Sequence, residues 1–334
     1  MTDREVLPRA AALALRYRES LPGRPVRPTA SLADLRATLG GPLPRDGEPD
    51  LALLERLAMA AEPGLMASSG PRFFGFVIGG TLPIALATDW LVSTWDQNPG
   101  LYATSPAVSV IEETAASWIL ELLGLPEGSG VGFVTGGQMA NFTGLAAARH
   151  EVLRREGWNV EERGLPGAPP VRLFASEEAH ATILSSLRFL GFGAGTLRRV
   201  PADGEGRMRA DALAAALAAG GGPAIVCAQA GNVNTGSFDP FPRIAETCAR
   251  HGAWLHVDGA FGLWAAAAPA LARLAEGVSL ADSWAVDAHK WLNVPYDCGI
   301  AIVKNAAVHR AAMTIGAAYL MPSAGTARDP LDRV

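Results

Sequence analysis

Lysine is almost missing from this chain. Of 28 basic residues among 334, only Lys290 and Lys304 are lysines, and the rest are arginines. No basic run occurs and the formal charge is −5, so the electrostatic footprint of a nucleic-acid binder is absent. Cysteine is scarce as well. Cys227, Cys248 and Cys298 are odd in number and far apart, which excludes a disulfide framework and fits reduced thiols. Apolar runs such as Trp264 to Ala270 fall well short of the roughly 20 residues that span a bilayer. Arg4, Arg9, Arg16, Arg18 and Glu19 break the apolar stretch that a secretion signal needs. These absences predict a cytoplasmic protein that binds neither nucleic acid nor membrane.

What is present is an ordinary globular composition, 49% hydrophobic, with 37 glycines and 24 prolines that follow no period. The first hundred residues read as helices joined by Pro/Gly-rich loops at Pro22 to Pro28 and Gly40 to Pro49, with no strand pattern. Ser105-Pro106 starts a helix predicted to run to about Leu123. Short, largely apolar strands then alternate with helices: Val131 to Val134, Val171 to Ala175, Ala224 to Ala228, Ala253 to Val257, Ser283 to Val286 and Gly299 to Val303. Strands of that kind signal a sheet covered on both faces, hence an α/β domain with a mostly parallel sheet. The predicted division is a helical segment over 1–100, an α/β domain over 101–310, and a piece over 311–334 that reads as the start of a cut C-terminal region.

In open α/β sheets ligands sit beyond the carboxyl ends of strands. Four such positions carry chemistry. Thr135-Gly136-Gly137-Gln138 leads into a helix and offers backbone amides to an anion, although a Gly-Gly turn also has a purely geometric use. His180 follows Ser176-Glu177-Glu178-Ala179 at a helix start, where a surface histidine is an equally open reading. Asp258 ends an apolar strand, an expensive place for a carboxylate unless a cation or donors meet it. Lys290 stands between His289 and Trp291 just after another strand. In a chain that writes arginine wherever charge alone is wanted, a lysine there is a candidate nucleophile. A Schiff-base amine, a carboxylate for a pyridine nitrogen, a ring to stack on and a phosphate cradle together suit pyridoxal 5′-phosphate.

The run Val286-Asp-Ala-His-Lys-Trp-Leu-Asn-Val-Pro-Tyr-Asp-Cys-Gly299, with His256-Val-Asp-Gly-Ala260 and Ser176-Glu-Glu-Ala-His180 before it, resembles the group II pyridoxal-phosphate-dependent amino-acid decarboxylases. These include the glutamate, aromatic-L-amino-acid and 2,4-diaminobutyrate decarboxylases. The resemblance starts near Pro71-Arg-Phe-Phe-Gly75 and continues almost to the end. It implies the aspartate-aminotransferase-like fold type I, a helical N-terminal extension, and a small C-terminal domain missing from this chain. It also implies Lys290 as the Schiff-base lysine, Asp258 as partner of the pyridine nitrogen and His180 stacked on the ring. Gly137, Gln138 and His289 fall at the phosphate, and Ala260 lies against the ring. Gly231-Asn-Val-Asn-Thr-Gly236 departs from the family's usual Gly-Thr-Thr run, which leaves the cofactor contacts of Asn234 and Thr235 open. Asp332-Arg333 stands where many members have Asp-Tyr, and Arg333 is no proton donor.

The expected activity is decarboxylation of an L-amino acid to its amine and carbon dioxide, in a homodimer with the site at the interface. Phe73, Phe74, Phe76 and Tyr102 fall where the family builds its substrate pocket. Three alternatives stand beside it: a truncated chain that has lost turnover, another enzyme of the same cofactor such as an aminotransferase or carbon–sulfur lyase, and a metal hydrolase built on His256-x-Asp258 and Asp287-x-His289. The last leaves Lys290 without a role.

Overall fold

A computed structural model describes residues 3–314. They fall into two compact units, the first ending at Thr81 and the second beginning at Leu82. The first unit holds α1 (Asp3–Ser20), α2 (Leu32–Leu39) and α3 (Asp50–Ala61). An isolated helix as short as α2 is marginal, and a capping box supports it. The Ser31 hydroxyl accepts from the Asp34 N–H at 3.2 Å while the Asp34 carboxylate accepts from the Ser31 N–H at 3.0 Å, an arrangement that contributes about 1 kcal/mol.

The second unit opens with α4 (Pro83–Trp95) and α5 (Pro106–Leu123). Its seven-stranded sheet comprises β1 (Gly130–Val134), β2 (Arg172–Ser176), β3 (Leu197–Val200), β4 (Ala224–Gln229), β5 (Trp254–Asp258), β6 (Ser283–Asp287) and β7 (Gly299–Val303). Between and after the strands come α6 (Gly137–Arg155), α7 (Val160–Arg163), α8 (Ala181–Phe189), α9 (Ala210–Ala218), α10 (Phe241–His251), α11 (Ala288–Trp291) and α12 (Ala306–Met313). The spatial order is β1-β7-β6-β5-β4-β2-β3. Neighbours are parallel except at β7, which runs antiparallel to both β6 and β1. A parallel return needs a long crossover, usually a helix. The segment from Asp287 to Gly299 holds only the single turn of α11, so β7 comes back antiparallel.

Both faces of the sheet are covered. Along β4, Ala224, Val226 and Ala228 pack with Leu213, Phe241, Ile244 and Trp284 on one side. Ile225 and Cys227 pack with Leu145, Leu153, Ile183 and Trp254 on the other. The two-residue alternation, with every side chain apolar, is why the sequence shows continuous apolar runs. The expected largely parallel α/β sheet is thus present, with β3 and α9 in addition. Among the described residues no helix is long and apolar enough to cross a membrane. The expectations for Asp329 to Val334, including Asp332-Arg333, lie outside the described residues.

Candidate active site

The topology brings the carboxyl ends of β1, β2, β4, β5 and β6 to one edge, where loops leave the sheet and functional groups collect. Asp258 ends β5 and is 4% exposed. Its Oδ2 accepts from Asn141 Nδ2 at 3.2 Å and its Oδ1 from the Ala260 N–H at 3.2 Å. Burial pushes the carboxyl above the ordinary range, while these two donors and the charges of His180 and Lys290 pull it back. The histidine and the lysine therefore lie close enough to act on one buried carboxylate.

Asp287 ends β6 and begins α11. Its Oδ2 is 2.9 Å from Lys290 Nζ, and its buried Oδ1 has no hydrogen-bond partner. A Cβ on Gly137 would lie 2.8 Å from Oδ2, so only glycine lets the start of α6 settle against this carboxylate. Gly136 has φ +145, which other residues rarely adopt, and a Cβ on Gly299 would overlap its backbone. The Gly-Gly turn therefore owes its composition to close packing against β6 and β7, and it leaves the N–H end of a 19-residue helix facing the site.

Lys290 Nζ lies 5.8 Å from the centroid of the Phe261 ring. His180 is the exposed N-cap of α8, and its Nδ1 accepts from the Thr182 N–H at 3.3 Å. His289 stacks on Tyr296 with centroids 4.1 Å apart, accepts from the Cys298 N–H at its Nδ1, and places Nε2 3.6 Å from Asp287 Oδ1. Ala260 contributes its N–H to Asp258 and its carbonyl to the Asp287 N–H. Lys290, Asp258, His180, Ala260, His289 and Gly137 thus share one edge of the sheet. Gln138 turns its side chain to α8, donating to Ser186 Oγ at 2.9 Å. Asn234 and Thr235 bond within and beside their own loop, through Asn232 Oδ1 and the Glu205 carbonyl.

Sequence reasoning passed over Asn141 and gave Asp287 and His256 only a metal-ligand reading. His256 is fully buried and spends both ring nitrogens, Nδ1 on Ser283 Oγ at 2.8 Å and Nε2 on Asn141 Oδ1 at 2.9 Å. Neither retains a lone pair for a metal, and among the described residues no cluster of three ligand-type side chains forms. The one available signal was the i, i+3 placement of Asn141 and Gly144 on α6, a polar group and a gap on a helix face that Leu145 and Ala148 continue.

These residues fit the cofactor that the resemblance implies. A primary amine, a buried carboxylate already supplied with two donors, an exposed imidazole and a helix start stripped of side chains converge. Asp287 Oδ1, buried and without a hydrogen bond although His289 Nε2 lies 3.6 Å away, leaves acceptor capacity for a further group.

The comparisons agree. The family model described as "Pyridoxal-dependent decarboxylase conserved domain" matches residues 33–332. Acidic amino acid decarboxylase GADL1 of Bos taurus is 33% identical over 263 residues, which is 78% of this chain and 49% of that protein. Aromatic-L-amino-acid decarboxylase of Bacillus atrophaeus is 29% identical over 300 residues, 89% of this chain and 60% of that protein. The crystal structure of Oryza sativa TDC with PLP and tryptamine superposes with a TM-score of 0.88 at 27% identity, covering 98% of this chain and 70% of that one. The chain spans about half the length of the GADL1 relatives it matches. With the family model extending across most of the sequence and the site geometry in agreement, this chain belongs to the pyridoxal-dependent decarboxylase family.

Proposed function

We propose that this chain takes part in pyridoxal 5′-phosphate-dependent decarboxylation of an L-amino acid. The observation that carries the reading is the meeting at one sheet edge of the Lys290 amine, 2.9 Å from Asp287 Oδ2, and the buried Asp258 carboxylate with its two donors. Lys290 would supply the primary amine that holds the cofactor aldehyde. Asp258, whose carboxylate accepts from Asn141 and the Ala260 N–H, would face the pyridine nitrogen and favour a proton there. His180, open to solvent on one side, offers its ring face to the heterocycle. The amides at Gly137 and the His289 ring receive the phosphate, with Gln138, Asn234 and Thr235 as further proposed contacts. Bound pyridoxal 5′-phosphate supplies the electron sink for the pair left when carbon dioxide departs. Asp287 holds the Lys290 ammonium at 2.9 Å, so the amine waits in place rather than in bulk water.

The same reading places the protein in the cytoplasm as a homodimer. Ile84, Leu91 and Trp95 on α4 and Val110, Ile111 and Trp118 on α5 are exposed, an apolar area that a second copy would cover. The division into 1–100, 101–310 and 311–334 is proposed on the same basis. The test is carbon dioxide release from a panel of acidic and aromatic L-amino acids after loading with the cofactor. Release that disappears in Lys290→Ala supports the proposal; a loaded chain that releases none from any member of the panel overturns it.

A further inference from the structure

A directed chain of hydrogen bonds runs behind Asp258. The Trp254 Nε1–H donates to Ser283 Oγ at 2.9 Å, so the Ser283 hydrogen is free to donate to His256 Nδ1 at 2.8 Å. The Asp258 carboxylate only accepts, which turns the Asn141 nitrogen toward it and Oδ1 toward His256, so His256 is the Nε2–H tautomer and donates to Asn141 Oδ1 at 2.9 Å. With its oxygen engaged, the Asn141 amide turns its nitrogen toward Asp258 Oδ2 and Thr182 Oγ1, both at 3.2 Å. Thr182 Oγ1, already an acceptor, passes its own hydrogen to His180 Nδ1 at 2.9 Å. Every donor and acceptor in the series has one consistent assignment.

The imidazole is also built in sterically. A Cβ on Gly144 would lie 2.8 Å from His256 Cε1 and 2.9 Å from Nδ1, so α6 gives up a side chain one turn after Asn141 to admit the ring. A buried histidine with both nitrogens engaged and its own recess in a neighbouring helix is placed, not merely tolerated. A flipped Asn141 amide would set its oxygen against the Asp258 carboxylate, and the His256 N–H excludes that flip.

We propose that His256 and Asn141 are positioning residues, and that through them a single amide orients both the carboxylate facing the cofactor's pyridine nitrogen and the histidine facing its ring. The inference rests on the proposed cofactor reading of the site. Donation from Asn141 stabilises Asp258 as the anion, so the proton shared with the pyridine nitrogen stays on nitrogen. Without that donation the proton passes to an Asp258 oxygen and the ring becomes a poorer electron acceptor. Losing one hydrogen bond to a charged group lowers turnover by about tenfold to a hundredfold.

The test loads wild type, Asn141→Ala, His256→Leu and His256→Gln with pyridoxal phosphate labelled with nitrogen-15 in the ring and records the ring-nitrogen resonance, together with the melting temperature. In His256→Gln the amide nitrogen falls near the position of imidazole Nε2. The expected result is a protonated ring nitrogen in wild type and His256→Gln, and a shift toward the unprotonated position in Asn141→Ala and His256→Leu. Asn141→Ala carries the test if His256→Leu does not fold. Loaded variants with the wild-type resonance and only a lower melting temperature would overturn the inference and leave the cofactor reading standing. A wild-type chain that takes up no cofactor overturns both, and that outcome is told apart by the absence of any bound ring signal.

Discussion

His256 stays neutral inside the fold because burial pushes its pKa from 6.5 down to about 3. The unfolded chain has no such constraint and takes up the proton below about pH 6.5. The stability that depends on a neutral His256 is therefore fully present above pH 6.5 and is lost as pH falls toward 3. Linkage sets the loss between pH 7 and pH 5 at about 2 kcal/mol for this one group. Other buried groups oppose it. Asp239, pushed up to about 6 by burial against two N–H donors, contributes stability at low pH that disappears as pH rises through 6. The raw pH profile thus mixes signs, and comparison with His256→Gln, which does not titrate, isolates the histidine. Urea unfolding of both chains at pH 7 and pH 5, followed by far-ultraviolet circular dichroism, should show wild type losing about 2 kcal/mol more than the variant over that interval. Parallel losses in the two chains would refute the assignment of a neutral, buried, doubly bonded imidazole.

Other perturbations separate packing from chemistry. Trp284 is fully buried and donates to the Val278 carbonyl at 2.9 Å, so Trp284→Ala should cost about 3–5 kcal/mol in urea unfolding, where a loss under 1 kcal/mol would contradict a close-packed sheet face. Gly137→Ala puts a methyl group 2.8 Å from Asp287 Oδ2; cofactor retention by equilibrium dialysis should fall about tenfold or more while the far-ultraviolet spectrum is kept. Burial pushes the Cys248 thiol up to about 12 and the Cys227 thiol higher still, and Cys298, half-buried, is raised as well. A disulfide reagent at pH 8 should therefore label Cys298 first and reach the other two only on denaturation; rapid labelling of all three in the native chain would count against this core.

Parts of this molecule were legible in one dimension. The strands that form the middle of the sheet are largely apolar because both faces are covered, and the sequence shows each of them. Leu197–Val200 escaped notice because β3 is an edge strand whose Arg198 and Arg199 reach solvent, so it carries no apolar run. Lys290 stood out through the scarcity of lysine, and Asp258 through the cost of a carboxylate at a buried strand end. Asn141 did not, because its meaning lies in His256 and Asp258, 115 and 117 residues away. Reversal of β7 was likewise hidden, since it follows from the length of a connection rather than from any residue pattern.

The central claim is that one amine holds the cofactor opposite one buried carboxylate. Borohydride reduction of the loaded protein, followed by peptide mapping, tests it most directly. The account predicts a stable adduct on Lys290 alone, equal in amount to the yellow colour lost; an adduct on Lys304, on the N-terminal amine or on no peptide would contradict it.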